Sequence, residues 1–138
     1  MTNQKDPLKN DRLLTEVELE LMNIIWDLGK AAVKDVVSRL PKGRDLAYTT
    51  VATVLKVLEQ KRFLVCHKDF HAHLFSPLVS KRHYESTCLD HVVAHVFDGE
   101  PVALVQRLLD GKKKLRKDEI EAIENALKHL ARTGSAKK

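Results

Sequence analysis

The chain has 138 residues and a formal net charge of +5, with 43% hydrophobic and 31% charged residues. This composition excludes a disordered chain, and the length allows one compact domain with a helical appendage. The two cysteines, Cys66 and Cys88, do not indicate a disulfide framework, so a cytoplasmic location is expected. The first residues lack a signal-peptide core, and no apolar run is long enough for membrane insertion.

Charge is distributed unevenly along the sequence. From residue 15 to residue 29 every charged side chain is acidic, whereas residues 30–68 contain nine Lys or Arg and three acids. A basic block of this kind suits a phosphate backbone, although an ordinary solvated surface would have the same composition.

The first elements of the chain are predicted to be an arm and two helices. Residues 1–12 are polar and are expected to form a flexible arm. Thr15 and Glu18 have the spacing of a capping box, which predicts the start of the first helix, and Gly29 predicts its end. A short second helix is predicted over 33–40.

The third helix is predicted over Tyr48–Gln60, and its two faces differ in kind. Its buried stripe is expected to consist of Val51, Val54, Leu55 and Leu58. Its open face carries Thr49, Thr50, Thr53 and Lys56. Threonines on an open helix face are not favoured by helix propensity, and their small hydroxyl side chains allow close approach by a partner. Tyr48 is expected to pack against the core.

A hairpin follows the third helix. Residues 63–68 and His73–Pro77 alternate as two strands around a turn. Three helices followed by a two-stranded wing constitute the winged helix-turn-helix fold. We therefore predict a mainly α fold with a small β-hairpin, in which a DNA-binding domain covers residues 13–78.

The remaining residues are predicted to form three helices and a short disordered tail over 133–138. The helices are expected to begin after Ser80 and to cover Pro101–Leu109 and 117–132. Their narrow apolar stripes need a partner, and a second copy of the chain is the simplest one. Residues 79–132 are thus expected to form a dimerisation domain. The homodimer contacts are predicted to be Leu89, Val92, Val93, Val96, Ile120, Ile123, Leu127 and Leu130.

The predicted partner of the third helix is double-stranded DNA. A helix fits the major groove, where its N-terminal residues reach base edges. The predicted DNA-binding residues are Thr49, Thr50, Thr53 and Lys56 on the helix, Lys42 and Arg44 before it, and Lys68, His71 and His73 on the wing.

Four segments resemble the penicillinase-repressor (BlaI/MecI/CopY) family. They are LTEVELELMNIIWDLG at 14–29, RDLAYTTVATVLKVLEQKRFL at 44–64, HLFSPLVSKRHY at 73–84 and KDEIEAIENAL at 117–127. The resemblance implies a winged-helix domain, a C-terminal dimerisation domain, and repression through inverted-repeat operators with TACA/TGTA-like half-sites. It also implies control of β-lactamase or other antibiotic resistance or stress genes, with release by a sensor protease or another inducing signal.

The sequence departs from this family at three places. It has no Asn-Phe pair, which is the bond cleaved in the staphylococcal-type repressors, so cleavage at that bond is not expected. It has no Cys-x-Cys motif, so the copper switch of some members is not expected either. Ala47 stands at the N-cap of the third helix, where some members have Ser.

Two alternative functions remain open at this stage. Cys88, His91 and His95 recur at i, i+3 and i+7 and could bind Zn²⁺ or Cu⁺ in a metal-responsive repressor, although no cofactor is the default expectation. A winged-helix protein-interaction module that does not bind DNA is the alternative from another class. An enzyme is not expected, because no phosphate loop, HExxH or nucleophile motif occurs.

Overall fold

The computed structural model describes residues 13–68, 72–111 and 114–134. The elements in chain order are α1 (Glu16–Leu28), α2 (Val33–Ser38), α3 (Tyr48–Gln60), β1 (Leu64–Lys68), β2 (His73–Pro77), α4 (Lys81–His95), α5 (Pro101–Leu109) and α6 (Lys117–Gly134). The mainly α fold with a small hairpin is confirmed. The chain divides between Val92 and Val93, inside α4, into two compact units.

The start of α1 confirms the predicted capping box. The Glu18 amide donates to the Thr15 hydroxyl at 3.2 Å, and the Thr15 amide donates to Glu18 Oε1 at 2.9 Å. Glu18 is buried, and its second oxygen, Oε2, accepts from Lys61 Nζ at 2.6 Å. Burial raises the pKa of Glu18, but the bonds from Lys61 and Thr15 outweigh burial and lower that pKa below its usual value. One carboxylate therefore ties the start of α1 to the end of α3.

A single hydrophobic core lies within the first unit. Among the described residues it consists of Leu21, Met22, Ile25, Ala31, Val36, Val51, Leu55, Leu58, Phe63, Leu64, Phe75 and Tyr84. The predicted stripe of α3 is buried at Val51, Leu55 and Leu58 and is half-buried at Val54.

The wing is an antiparallel pair whose register runs from Leu64↔Pro77 to Lys68↔His73. β1 begins at Leu64, one residue later than expected, and alternation along the pair places Leu64 and Phe75 in the core. Phe75 also exchanges two backbone hydrogen bonds with Ala31, at 3.0 and 2.8 Å. The segment before α2, which the sequence predicts only as a connector, is therefore joined to β2.

The first turns of α4 pack against the winged-helix core. Tyr84 Oη accepts from the Leu14 amide at 2.8 Å, and its ring lies 5.9 Å from the rings of both Trp26 and Phe63. Burial is the main cause that raises the pKa of Tyr84 to about 12. Trp26 Nε1 donates to the Val79 carbonyl at 2.9 Å. The start of α4 thus belongs to the first unit, and a functional boundary after residue 78 stays a prediction.

The second unit contains the end of α4 together with α5 and α6. α6 ends at Gly134, two residues beyond its predicted end. The predicted arm (1–12) and the rest of the predicted tail (135–138) lie outside the described residues. None of the core side chains given above comes from the second unit. Across 13–68, 72–111 and 114–134, none of the helices combines the length and apolarity that crossing a membrane requires.

Candidate nucleic-acid interface

Helix α3 presents a polar face to solvent, as predicted. Thr49, Thr50, Thr53 and Lys56 are all exposed. On the opposite side, Val51, Leu55 and Leu58 have no exposed surface, because α1, α2 and the wing cover them. The buried stripe fixes the rotation of the helix about its axis, so the hydroxyl groups cannot turn inward without exposing the core.

The segment before α3 approaches the helix without a side-chain cap. Ala47 has an extended conformation (φ −66°, ψ 152°) and makes no side-chain hydrogen bond to the helix. The first amides of α3 therefore need solvent or a ligand as acceptors. Lys42, in the preceding turn, is exposed, and Gly43 supplies the positive φ of 86° that the turn requires.

Arg44 is held by α1. Its Nε donates to both carboxylate oxygens of Glu20 at 3.1 Å, and the pair raises the pKa of the guanidinium. Sequence reasoning placed Arg44 at the DNA backbone but did not find this partner, which lies 24 residues earlier. Among the described hydrogen bonds, none uses the Nη groups of Arg44, so these donors remain available to a phosphate.

The turn end of the wing carries two of the three predicted wing residues. Lys68 and His73 are exposed and stand opposite each other in the last pair before the turn. His71 lies outside the described residues. Because side chains alternate along a strand, Lys68 and His73 lie on the same face of the hairpin as Leu64 and Phe75, where they present a cation and an imidazole beyond the core.

Tyr48 does not pack in the core, and this expectation was wrong. It is 56% exposed because it is the first residue of α3 and lies past the end of the buried stripe. Its ring lines a cleft of about 360 Å³ between α2, α3 and β2, which we call the α2–wing cleft. The residues that line it are Ala32, Val33, Lys34, Tyr48, Ala52, Lys56, Ala72, His73 and Phe75. Sequence reasoning missed Lys34, whose only signal was a cation in the first turn of a short helix.

The predicted metal ligands do not form a site within one chain. Cys88 and His91 are half-buried, and His95 is exposed. In the part of the chain that the structure describes, no group of three or more His, Cys, Asp or Glu side chains could hold a metal ion. A site completed by a second chain stays a prediction.

The predicted dimerisation residues are largely open to solvent in the single chain. Leu89, Val96, Ile120, Leu127 and Leu130 are exposed by between 44% and 65%. Val92, Val93 and Ile123 are half-buried. These exposures are typical of apolar side chains whose partner is not part of the same chain.

Three packed helices, a two-stranded wing and an outward-facing third helix define a winged-helix protein. The family model for the penicillinase repressor matches residues 14–129, and the chain belongs to this family. Family members are transcriptional repressors, and this chain is a transcriptional repressor and not an enzyme.

Individual relatives are similar over most of the chain. The methicillin resistance regulatory protein MecI of Mammaliicoccus sciuri is 27% identical over 114 residues, which cover 83% of this chain and 92% of that protein. The transcriptional regulator BlaI of Mycobacterium tuberculosis is 29% identical over 120 residues, covering 85% and 84%. The solution structure of the DNA-binding domain of the repressor BlaI is 26% identical, covers 59% of this chain and 94% of that one, and has a TM-score of 0.48.

Proposed function

We propose that this chain is a homodimeric, cytoplasmic repressor that binds inverted-repeat operator DNA with α3 of each subunit in the major groove. The observation that carries this proposal is the division of α3 into an apolar stripe that packs into the core and an exposed face of hydroxyl groups. A helix presented in this way fits the major groove of B-DNA, which is wide enough to admit it.

The residues around α3 have distinct roles in this proposal. Thr49, Thr50 and Thr53 contact base edges, since a hydroxyl can donate to or accept from a base and the threonine methyl can contact a thymine methyl. Lys56 neutralises a phosphate. Contacts to the flanking backbone come from Lys42 and Arg44 before the helix and from Lys68, His71 and His73 on the wing.

The second unit supports the dimer. From Val93 onward the described helical residues expose apolar side chains and contribute none to the core, so burying them requires another surface. A second copy of the chain supplies an identical surface, and its two-fold symmetry matches an inverted repeat. The similarity to regulators named for methicillin resistance and to BlaI supports resistance genes, including those for β-lactamase, as targets.

The first experiment selects a preferred site from random duplexes and measures the affinity of the full chain for it. Thr50→Ala and Thr53→Ala are each expected to weaken specific binding by about 1–3 kcal/mol, because each removes a base contact. The measurement is fluorescence anisotropy with the selected duplex and with a scrambled one.

The matched control is Thr133→Ala, which removes an exposed threonine hydroxyl from α6. It should leave the affinity unchanged. Wild-type affinity in both α3 variants would remove the recognition role from this face. A wild-type protein that does not bind duplex DNA even at low salt would favour the protein-interaction module instead.

A further inference from the structure

We propose that the α2–wing cleft binds one phosphate of the DNA backbone in each half-site, between Lys34 on α2 and Tyr48 and Lys56 on α3. This inference rests on the proposed function, and it adds Lys34 and Tyr48 to the residues that contact DNA. The ligand is a phosphodiester of the strand that borders the major groove where α3 lies.

The cleft is built before any ligand arrives. Ala31 and Phe75 exchange two backbone hydrogen bonds, so the start of α2 and strand β2 cannot separate without breaking both. The Ala32 amide donates to Asp35 Oδ2 at 2.9 Å, which fixes the first turn of α2 where Lys34 is located. Because the cleft is preformed, binding a ligand there costs little free energy for ordering the protein. Its volume of about 360 Å³ lies at the low end of the range for ligand sites.

The polar side chains that line the cleft are all suited to an anion. They are Lys34, Tyr48, Lys56 and His73, and among the described residues no carboxylate lines the cleft. Ion pairs between described residues involve Arg39, Arg44, Lys61 and Arg116, and neither Lys34 nor Lys56 takes part in one. No acid in the described part of the chain therefore neutralises the two ammonium groups, and an oxyanion between them would gain charge-assisted hydrogen bonds.

The side of α3 that lines the cleft is the side expected to face a sugar-phosphate strand of the DNA. Tyr48, Ala52 and Lys56 follow one another at intervals of four residues, so they form one side of the helix. Thr49 and Thr53 lie one residue further along at each turn and form the adjacent, base-facing side. When the threonines face base edges, this neighbouring side faces the sugar-phosphate wall of the groove. Ala52, with its small side chain, leaves room between Tyr48 and Lys56 for a phosphate.

The test measures how the affinity of the full chain for duplex DNA depends on salt. Each neutralised phosphate contributes about −0.9 to the slope of log K against log[salt] on B-DNA. Lys34→Gln is expected to make this slope less steep by about 0.9 per bound subunit and to weaken binding at low salt. The matched control is Lys81→Gln, an exposed lysine at the start of α4 that lines a different surface depression, and it should keep the wild-type slope.

A second measurement locates the phosphate. Single methylphosphonate linkages, each of which removes one backbone charge, are placed in turn along the duplex. In the wild-type protein several positions per half-site are expected to weaken binding, one for each backbone contact, and in Lys34→Gln one of these positions should have a smaller effect. In Tyr48→Phe the methylphosphonate at this same position should lose only part of its effect on binding, because the substitution removes one hydrogen-bond donor and no charge.

The possible outcomes distinguish a failure of the phosphate site from a failure of the proposed repressor function. If the wild-type protein binds DNA while Lys34→Gln keeps the wild-type slope and the same methylphosphonate sensitivity, the phosphate site is overturned and the repressor proposal stands. An equal loss of slope in Lys81→Gln would also overturn it, because the effect would then be one of overall charge. Absence of duplex binding by the wild-type protein would overturn both proposals.

Discussion

Cations near α3 fall into two groups that differ in what surrounds them. Lys34 and Lys56 line a cleft to which none of the described carboxylates contributes, whereas Arg44 is bonded through Nε to both oxygens of Glu20. An exposed ion pair of this kind adds little to stability, so its main effect is on where the guanidinium points and on the local charge. Glu20 therefore offsets a charge that the adjacent surface would otherwise offer to DNA.

The pairing of Arg44 with Glu20 predicts that loss of an acidic side chain strengthens DNA binding. Glu20→Gln is expected to strengthen binding to duplex DNA at low salt and to make the salt slope steeper, because it removes a negative charge and releases Arg44 toward a phosphate. The slope should change by about −0.9 per subunit if Arg44 gains one full phosphate contact. The measurement is the same salt titration used for Lys34.

Asp27→Asn is the matched control. It also removes an α1 carboxylate from an arginine pair, since Asp27 accepts from Arg39 at 2.6 Å, but that pair lines a surface depression to which the turn before α3 does not contribute among the described residues. Asp27→Asn should have a smaller effect on the slope. Weaker binding by Glu20→Gln would contradict the prediction and would mean that Arg44 acts by holding the turn in place.

At the residue scale, the sequence predicted what depends on near neighbours. Thr15 and Glu18 are three residues apart, and their capping box can be predicted from this spacing alone. The partners of Glu18 at Lys61 and of Arg44 at Glu20 are 43 and 24 residues away, and nothing local specifies them. The exposure of Tyr48 was missed for the same reason, because it depends on where the core ends.

At the scale of elements, apolar periodicity together with capping, glycine and proline residues was sufficient to predict most helix and strand boundaries. The bounds of α3 and α5 agree with the prediction, since each has a clear apolar repeat and α5 also begins with Pro101. The pairing of Ala31 with Phe75 was not predictable, because two hydrogen bonds to a strand 44 residues later leave no pattern in a three-residue connector.

The uncapped start of α3 gives a prediction at this scale. Ala47→Ser is expected to raise the free energy of unfolding by about 1 kcal/mol, because Ala47 already has the extended conformation of an N-cap and a serine hydroxyl would accept from a first-turn amide. Urea unfolding at one fixed protein concentration measures the change.

Ala122→Ser serves as the control for the same chemical change. Ala122 is exposed in the interior of α6, where a serine should lower stability by a few tenths of a kcal/mol through helix propensity. If Ala47→Ser also lowered stability, the hydroxyl would not be acting as a cap.

At the scale of the whole molecule, the two units differ in how they bury apolar surface. The first has a core of its own, and the second exposes the side chains that would form one. The sequence predicted this contrast, because narrow stripes on three helices cannot enclose each other. The sequence did not predict how the apolar stripes of two chains would pack against each other, since that depends on the symmetry of the dimer and not on a local pattern.

The dimer prediction is tested with a charge placed in the proposed interface. Leu127 is 59% exposed in the single chain, and Leu127→Glu is expected to raise the dimer dissociation constant at least 100-fold. The reason is that a leucine is worth about 1.5–3 kcal/mol on burial and each change occurs twice in a symmetric dimer. Sedimentation equilibrium measures the constant.

Leu78→Glu is the control, because Leu78 is 56% exposed in the first unit and lies outside the proposed interface. It should leave the association unchanged. A wild-type monomer at all accessible concentrations would contradict the proposed interface, as would a Leu127→Glu variant that associates as tightly as the wild type.

The two hydrogen bonds between Ala31 and Phe75 also bear on the energetics of the hairpin stem. An isolated two-stranded hairpin is at best marginally stable in water, and a third backbone segment changes that balance. Here β2 is flanked by β1 on one side and by Ala31 on the other, so the stem is already ordered in the free protein. DNA does not have to supply the free energy of forming it, and the affinity gained from contacts there is not reduced by a coupled folding step.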